Sequence, residues 1–363
     1  MVDSLMFDSL TVQSRFSNYE VNFSGDFTQP MKELVAQKAF FIIDAAVWDL
    51  YQEKLKDLIP ETSFFIVEAA ERNKSLDKCR EIIEILVEKK VRRNEKLVAI
   101  GGGIIQDVTA FSASITYRGL EWCFFPTTLL AQADSCIGGK TSINLGDKKN
   151  LIGNFYPPSR IYIDTAFLDT LSLDDIKSGI GEIIHYYIYA ASSLFTDLMH
   201  NYDRAIDDRY LLRKYIRESL QIKKAVIEND EFDRGERNKF NYGHTFGHAL
   251  ESVTDYAIKH GQAVTVGMDM ANYISMKMGF MKQATFQDIR SKLLINFPEY
   301  PWRTIDLDRY FRFLAKDKKN VGNNVGCILA KDYGLLVKEQ LPVDDQFREL
   351  IATYLSGQSI TGK

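Results

Sequence analysis

The stretch Leu97-Val-Ala-Ile-Gly-Gly-Gly103 joins a short apolar run directly to three glycines. An apolar run that ends in glycine is typical of a buried parallel strand followed by a tight turn. Glycine lets the backbone pass close to a pyrophosphate, whose charge the N–H groups of a following helix can bind. The triplet lacks the GxGxxG spacing, so it indicates either a dinucleotide-binding turn or a plain tight turn.

Similar apolar runs surround this stretch in the first half of the chain. Residues 39–43 and 64–67 precede it, and further strands are expected at 122–125 and 161–163. Between them, apolar residues of 76–86 recur at i, i+3 and i+4, which predicts an amphipathic helix over the sheet. Strands that alternate with helices favour a parallel, Rossmann-like α/β sheet.

The second half has a different pattern, with long helical stretches at about 177–191, 210–228 and 242–253. A chain of 363 residues is long for one hydrophobic core. Pro157-Pro158 lies near the change of pattern, and proline continues neither a helix nor a central strand. We therefore expect α/β residues 1–175 followed by mainly helical residues 176–363.

The amino-acid composition limits which partners and which cellular location are expected for the protein. The net charge of −4 provides no basic field for nucleic acid or anionic membrane, so neither is an expected partner. The four cysteines form no CxxC pair, and the N-terminal residues lack a basic segment followed by an apolar core. A cytoplasmic protein with free thiols is expected.

Three histidines lie close together in the second half. His244 and His248 are four residues apart, on one face of a predicted helix, and His260 follows twelve residues later. Such a group indicates either a metal site or packed and capping histidines. Glu182, among apolar neighbours, is the best candidate for an added carboxylate, with a solvated helical position as its alternative. Thr245 stands where the general base of HExxH would be, which excludes that metalloprotease motif.

Polar residues follow the predicted strands of the first half. Asp107, Thr127 and Thr128 stand where parallel sheets bind ligands, at the carboxyl ends of strands. Asp44 is placed either to bind a ribose or to cap a helix.

The stretch 134–150 is rich in glycine and lysine without matching the Walker pattern. Lys140, Lys149 and Asn150 have the chemistry of a small phosphate site, although such lysines are also common as solvated surface groups.

In order along the chain, these motifs resemble the 3-dehydroquinate synthase family of sugar phosphate cyclases. The resemblance runs from about residue 71 to 319. Its parts are Glu71-Arg-Asn-Lys74, the glycines 101–103 with Asp107, Tyr117-Arg118-Gly119, Pro126-Thr-Thr, 134–150, Gly181-Glu182, 237–251, His260-Gly261 and Asp317-Lys-Lys319.

The resemblance implies that residues 1–175 bind NAD, that residues 176–363 bind zinc or cobalt and a sugar phosphate, and that the chain forms a homodimer. The implied metal ligands are Glu182, His244 and His260. The implied cofactor-binding residues are Asp44, Glu71, Lys74, Gly102, Gly103, Asp107, Thr127, Thr128, Lys149 and Thr170. The implied substrate and catalytic residues are Asp134, Lys140, Asn150, His185, Lys223, Arg237, Asn241, His248, Lys318 and, across a dimer interface, Arg118.

In the reaction that the resemblance implies, substrate hydroxyls beside the metal become easier to oxidise, and a hydride passes to NAD. The ketone acidifies the neighbouring proton, phosphate leaves by elimination, the hydride returns, and the ring-opened enolate adds to the keto group. The expected activity is that of a phosphate-eliminating carbon–oxygen lyase in the shikimate route to aromatic amino acids.

The clearest departure from the family is His185, where members that make dehydroquinate carry lysine. Gln262 and Asp233 are milder departures, each at a position where glutamate is common, whereas Arg237 retains the bidentate donor that suits a carboxylate. The main hypothesis is 3-dehydroquinate synthase itself. The alternatives are a specialised cyclase of the deoxyinosose, valiolone or amino-dehydroquinate type, and a polyol dehydrogenase or non-catalytic binding protein on the same scaffold.

Overall fold

A computed structural model describes residues 8–146, 148–316 and 319–356. These residues divide into two compact units, each treated separately below. The first takes its residues from Met1–Ser172 and Ile216–Phe232, and the second from Leu173–Tyr215 and Asp233–Lys363. The change expected at residue 175 lies close to the division after Ser172, while residues 216–232, expected in the second domain, group with the first unit.

The first unit contains a seven-stranded sheet and a separate hairpin, which confirms the Rossmann-like parallel sheet. Its strands are β1 (Asp8–Val12), β2 (Tyr19–Phe23), β3 (Phe40–Asp44), β4 (Phe64–Val67), β5 (Leu97–Gly101), β6 (Trp122–Pro126), the hairpin strands β7 (Ile143–Leu145) and β8 (Lys148–Ile152), and β9 (Arg160–Ile163). The sheet order is β1-β2-β9-β6-β5-β3-β4. Neighbouring strands are parallel except at the edge pair β1 and β2.

The helices of this part of the chain are α1 (Thr28–Ala36), α2 (Ala45–Leu58), α3 (Leu76–Glu88) and α4 (Gly103–Ile115). The predicted helix α3 buries Cys79, Ile82 and Leu86, and its N-terminus is capped by Ser75, whose hydroxyl accepts a hydrogen bond from the Lys78 N–H. Strands β3, β5 and β6 are buried along their whole length, as expected for a parallel sheet that is covered on both faces.

The second half of the chain is mainly helical, as expected, but it also contains a hairpin that the sequence analysis missed. The helices are α5 (Leu173–Ala190), α6 (Ser192–His200), α7 (Tyr202–Asp207), α8 (Arg209–Ile227), α9 (His244–Val253), α10 (His260–Lys277), α11 (Gln283–Leu293), α12 (Leu307–Leu314) and α13 (Asp345–Leu355). The hairpin is β10 (Asn324–Asp332) with β11 (Leu335–Pro342). Helix α8 begins in the second unit and ends in the first. Within the described ranges, no helix combines the length and apolar character that a membrane crossing requires.

Candidate metal centre and candidate cofactor site

The three histidines of the second half converge. His244 begins α9, His248 lies one turn later, and His260 begins α10. One ring nitrogen from each lies within 4.8 Å of the others. The ring centroid of His244 lies 5.4 Å from that of His248 and 5.4 Å from that of His260. This spacing allows imidazoles to share one metal ion.

Glu182 of α5 provides a carboxylate to the same place. The residue is 1% exposed, so the solvated alternative is wrong for it. Its Oε1 lies 3.1 Å from Nε2 of His260 and 3.6 Å from Nε2 of His244. That oxygen accepts no hydrogen bond from the residues that the structure describes. A buried carboxylate oxygen that faces two imidazole nitrogens is a donor set that fits zinc or cobalt.

The electrostatic setting differs between the two histidines nearest Glu182. Burial lowers the pKa of His244 to about 4, although the Glu182 carboxylate opposes the change. His244 is therefore neutral at pH 7, which is the form that binds metals. For His260, burial lowers the pKa, but the carboxylates Glu251 and Glu182 outweigh burial and raise it well above the usual value.

Glycines bring the three helices of this cluster together. A Cβ atom at Gly181 of α5 would overlap the carbonyl oxygen of Gly261 in α10, and one at Gly261 would overlap the carbonyl oxygen of Ser178. Helices α9 and α10 meet in the same way, because a Cβ at Gly267 would overlap the carbonyl oxygen of Gly243. Gly243, with φ of 80°, also makes the left-handed turn directly before His244. Near-contact of the backbones therefore holds Glu182, His244 and His260 together.

His185 lies one helical turn after Glu182 and is 1% exposed. Its ring centroid is 4.9 Å from that of Tyr186, 5.8 Å from that of Phe240 and 5.4 Å from that of His244. The side chain is thus part of the packing behind the histidine cluster.

Other predicted substrate residues of the second unit lie near the cluster. Arg237 is buried, and Asn241 lies in the same short helical segment shortly before His244. Nζ of Lys319 is 3.4 Å from Oδ1 of Asn241, and its positive charge helps to lower the pKa of His244. The sequence analysis missed Lys319, although its place in Asp317-Lys-Lys319 was a usable signal. Lys318 lies outside the described residues.

In the first unit, the glycines lie where the sequence analysis expects them. Gly101 ends β5, and Gly102 precedes the first turn of α4. A Cβ atom at Gly102 would lie 3.0 Å from the Thr128 side chain, so any larger residue would crowd this turn at the N-terminus of α4. Thr127 is buried beside this turn, and its N–H donates to the Gly101 carbonyl oxygen. Gly103 is the first residue of α4 and has ordinary space around it.

Asp44 lies at the end of β3 and caps α2, since its Oδ1 accepts a hydrogen bond from the Ala46 N–H over 3.0 Å. The capping alternative is therefore observed. Burial raises the pKa of Asp44, although the bond from Ala46 opposes the change.

Several predicted cofactor residues form one polar cluster. Nζ of Lys74 is 2.6 Å from Oδ2 of Asp107 and donates to Oδ1 of Asn150 over 2.7 Å. Burial raises the pKa of Asp107, opposed by Lys74. Glu71 is linked to this cluster through Asn144. The Nδ2 of Asn144 donates to Glu71 Oε1 over 2.7 Å, and its Oδ1 accepts from the Asn150 N–H over 2.9 Å. Lys149 Nζ lies 3.7 Å from Glu71 Oε1. By contrast, Thr170 pairs with the Tyr51 hydroxyl at 3.2 Å.

Asp134 and Lys223, both predicted to contact substrate, contact each other. Nζ of Lys223 donates to the backbone oxygen of Asp134 over 2.7 Å and to its Oδ1 over 2.8 Å. Lys223 is 6% exposed, so its ammonium is fixed and largely desolvated. Lys140 and Arg118 are exposed.

Comparison with known proteins finds similarity to 3-dehydroquinate synthases. Family models of the N-terminal and C-terminal regions of 3-dehydroquinate synthase match residues 64–178 and 179–320. The 3-dehydroquinate synthase of Dictyoglomus thermophilum is 39% identical over 319 residues, which are 86% of this chain and 88% of that protein.

Two solved structures share the fold at lower sequence identity. A 2-deoxy-scyllo-inosose synthase complexed with carbaglucose-6-phosphate, NAD+ and Co2+ is 22% identical, with a TM-score of 0.81. The 2-epi-5-epi-valiolone synthase of Streptomyces hygroscopicus subsp. jinggangensis, with NAD+ and Zn2+ bound, is 23% identical, with a TM-score of 0.82. Each alignment covers 96% of this chain and 99% of the other.

Proposed function

The chain belongs to the 3-dehydroquinate synthase family, and from this membership we propose that it closes a phosphorylated seven-carbon keto-sugar acid into dehydroquinate with elimination of phosphate. It is a sugar phosphate cyclase. We propose in addition that it depends on NAD and on zinc or cobalt, and that it works as a homodimer to which Arg118 contributes.

The observation that carries this proposal is the approach of buried Glu182 to Nε2 of both His244 and His260. These three side chains would hold the divalent ion, which would make substrate hydroxyls easier to oxidise. His248 is the exposed member of the histidine cluster. We propose that its imidazole orients a substrate hydroxyl and transfers its proton.

In the first unit, the glycine turn at Gly101–Gly103 and the N-terminus of α4 support binding of a dinucleotide pyrophosphate. Bound NAD would supply a reversible hydride acceptor. The neighbouring pair of Lys74 and Asp107 gives a fixed polar contact at the same helix, since Asp107 lies in its second turn. We propose that this cluster and Asp44 line the cofactor site.

Lys223 supports binding of the substrate phosphate. Its ammonium is held by two oxygens of Asp134, so it is oriented before substrate arrives. A fixed cation beside a leaving phosphate stabilises the charge that develops, and loss of one such donor typically costs about 10²–10³-fold in rate. We propose the same role for the cation of Lys140, a hydrogen bond to the phosphate from the neutral amide of Asn150, and carboxylate binding for Arg237.

The function is tested by incubating the purified chain with zinc, NAD and the seven-carbon 2-keto acid phosphate. Phosphate release without net NADH is expected. Glu182→Gln should lower zinc affinity and phosphate release at least about 100-fold, because even outer-shell partners of a metal are worth about 10–100-fold. Glu349→Gln, an exposed substitution in the same unit, is the matched control. Net NADH formation would instead identify a polyol dehydrogenase. If neither phosphate nor NADH appears, catalysis on this substrate is refuted.

The second candidate is a specialised cyclase with another substrate, and His185 is the observation that favours it. An imidazole stands there in an aromatic environment where the family resemblance leads one to expect lysine. Glucose 6-phosphate and sedoheptulose 7-phosphate, tried in parallel, separate the candidates. Faster phosphate release from either one than from the 2-keto acid phosphate would favour the second.

A further inference from the structure

We propose that Glu251 is a positioning residue of the metal centre, which fixes the tautomer and ring orientation of His260. This inference rests on the metal site of the proposed function. Glu251 lies on α9, and its side chain is 12% exposed. Its Oε2 is 3.0 Å from Nδ1 of His260, a hydrogen-bonding distance.

The two nitrogens of His260 have different neighbours. Nδ1 faces Glu251, whereas Nε2 lies 3.1 Å from Glu182 Oε1, on the side where the metal would bind. A neutral imidazole carries one proton, so a ring that donates from Nδ1 to Glu251 must present a lone pair at Nε2. When Nε2 binds a metal, the proton of the neutral ring must lie on Nδ1, where Glu251 is placed to accept its hydrogen bond. Glu251 therefore stabilises the metal-binding tautomer, whereas Glu182 can accept from Nε2 when no metal is bound.

His244 shows the same arrangement with a weaker acceptor. Its Nδ1 lies 3.2 Å from the backbone oxygen of Tyr242, and its Nε2 lies 3.6 Å from Glu182 Oε1. Both histidines thus turn the same nitrogen toward Glu182. The acceptor for His260 is an ionisable carboxylate, which makes the opposite nitrogen a stronger donor to a metal than a neutral carbonyl does.

The position of Glu251 along α9 explains how it reaches His260. His244, His248 and Glu251 are related as i, i+4 and i+7, so they share one face of the helix. The face that carries the cluster histidines therefore also carries the carboxylate that orients the third one. Neighbouring Ser252 instead donates to the backbone oxygen of His248.

The test measures zinc affinity, by competition with a chromophoric chelator, for the wild type, Glu251→Gln, Glu251→Ala and the charge control Glu349→Gln. Zinc binding by Glu251→Ala should be about 10–100-fold weaker. Glu251→Gln should be affected less, because its amide oxygen can still accept from Nδ1, and Glu349→Gln should match the wild type. The visible spectrum of the cobalt form should change in Glu251→Ala and stay unchanged in Glu349→Gln.

Thermal unfolding of the metal-free proteins separates positioning from a structural role. Unchanged metal-free stability in Glu251→Gln, together with weakened zinc binding, supports the proposal. Wild-type zinc affinity in both Glu251 variants would overturn it, as would a loss of metal-free stability in Glu251→Gln large enough to account for the weaker binding. Phosphate release by the wild type is measured separately. If the wild type binds zinc but releases no phosphate, the proposed cyclase activity is refuted and the result for Glu251 still holds. If the wild type binds no zinc, the proposed role of Glu251 is overturned.

Discussion

At the scale of single residues, the environment of His185 allows a test of the proposed link between this position and substrate choice. The ring is 1% exposed and packs against Tyr186 and Phe240, beside His244. A neutral imidazole suits this environment better than an ammonium group, whose burial is costly unless it is paired. We expect His185→Lys to destabilise the metal-free protein by about 1–3 kcal/mol and to give no gain in kcat/KM for the seven-carbon substrate, measured by urea unfolding and phosphate release.

His185→Phe is the matched control, since it keeps a ring in the aromatic packing and adds no charge. It should retain most of the stability that His185→Lys loses. A rise in kcat/KM with His185→Lys would contradict the expectation and would mark His185 as the residue that moved specificity away from the dehydroquinate precursor.

Residue type and spacing predicted some side chains better than others. The pair His244 and His248 followed from helical periodicity alone, because i and i+4 share a face. The position of Glu182 beside these histidines could not be predicted from periodicity, since nothing in its local sequence shows that α5 meets α10. Its apolar neighbours marked Glu182 as the candidate carboxylate, the resemblance to the family implied that it is a metal ligand, and the 3.1 Å approach to His260 agrees with both. Asp44 shows the opposite case, in which the local capping rule described the observed bond.

At the scale of elements, the contact between α5 and α10 determines where two predicted metal ligands lie. Glu182 directly follows Gly181, and His260 directly precedes Gly261. The two glycines let the backbones touch, and Ser178 Oγ accepts a hydrogen bond from the Gly261 N–H over 3.0 Å. Any side chain at Gly261 must therefore push the helices apart where the predicted ligands lie.

We expect Gly261→Ala to weaken zinc binding by more than about tenfold, because separating the helices moves His260 away from Glu182. Chelator competition measures the affinity, and circular dichroism checks that the helices remain. Gly25→Ala, at a glycine with open space around its Cβ position, should change neither. Wild-type zinc affinity in a folded Gly261→Ala protein would mean that the site tolerates a shift of α10.

The strength of the apolar signal decided which elements the sequence could predict. The five predicted strands were continuous apolar runs, and all are present. Strand β8 is mostly exposed and begins Lys148-Lys149-Asn150, so its sequence carried no strand signal. Strand β2 buries Tyr19, Val21 and Phe23 in alternation, a period-2 pattern that was available but overlooked. Its pairing with β9, distant in sequence, depends on the assembled sheet.

At the scale of the whole molecule, the cysteines distinguish the two units. Cys79, Cys123 and Cys136 lie in the first unit and Cys327 in the second, and all four are buried. Burial raises the pKa of the thiols of Cys136 and Cys327 to about 12 and that of Cys79 to about 11. Because the thiolate is the reactive form, labelling at pH 8 requires a unit to open.

This distribution predicts that metal binding protects one thiol most. A ligand that binds the folded form at 100 times its dissociation constant adds about 2.7 kcal/mol to stability, which slows labelling through unfolding about 100-fold. Zinc should therefore slow alkylation of Cys327 by iodoacetamide, followed by mass spectrometry, more than that of Cys79 and Cys136. In Glu182→Gln the zinc effect on Cys327 should vanish, because a buried carboxylate that faces both imidazoles has been neutralised. Equal slowing of alkylation at all the thiols would show that the units open as one cooperative structure. If zinc leaves the alkylation rate of Cys327 in the wild type unchanged, zinc binds somewhere other than at Glu182, His244 and His260.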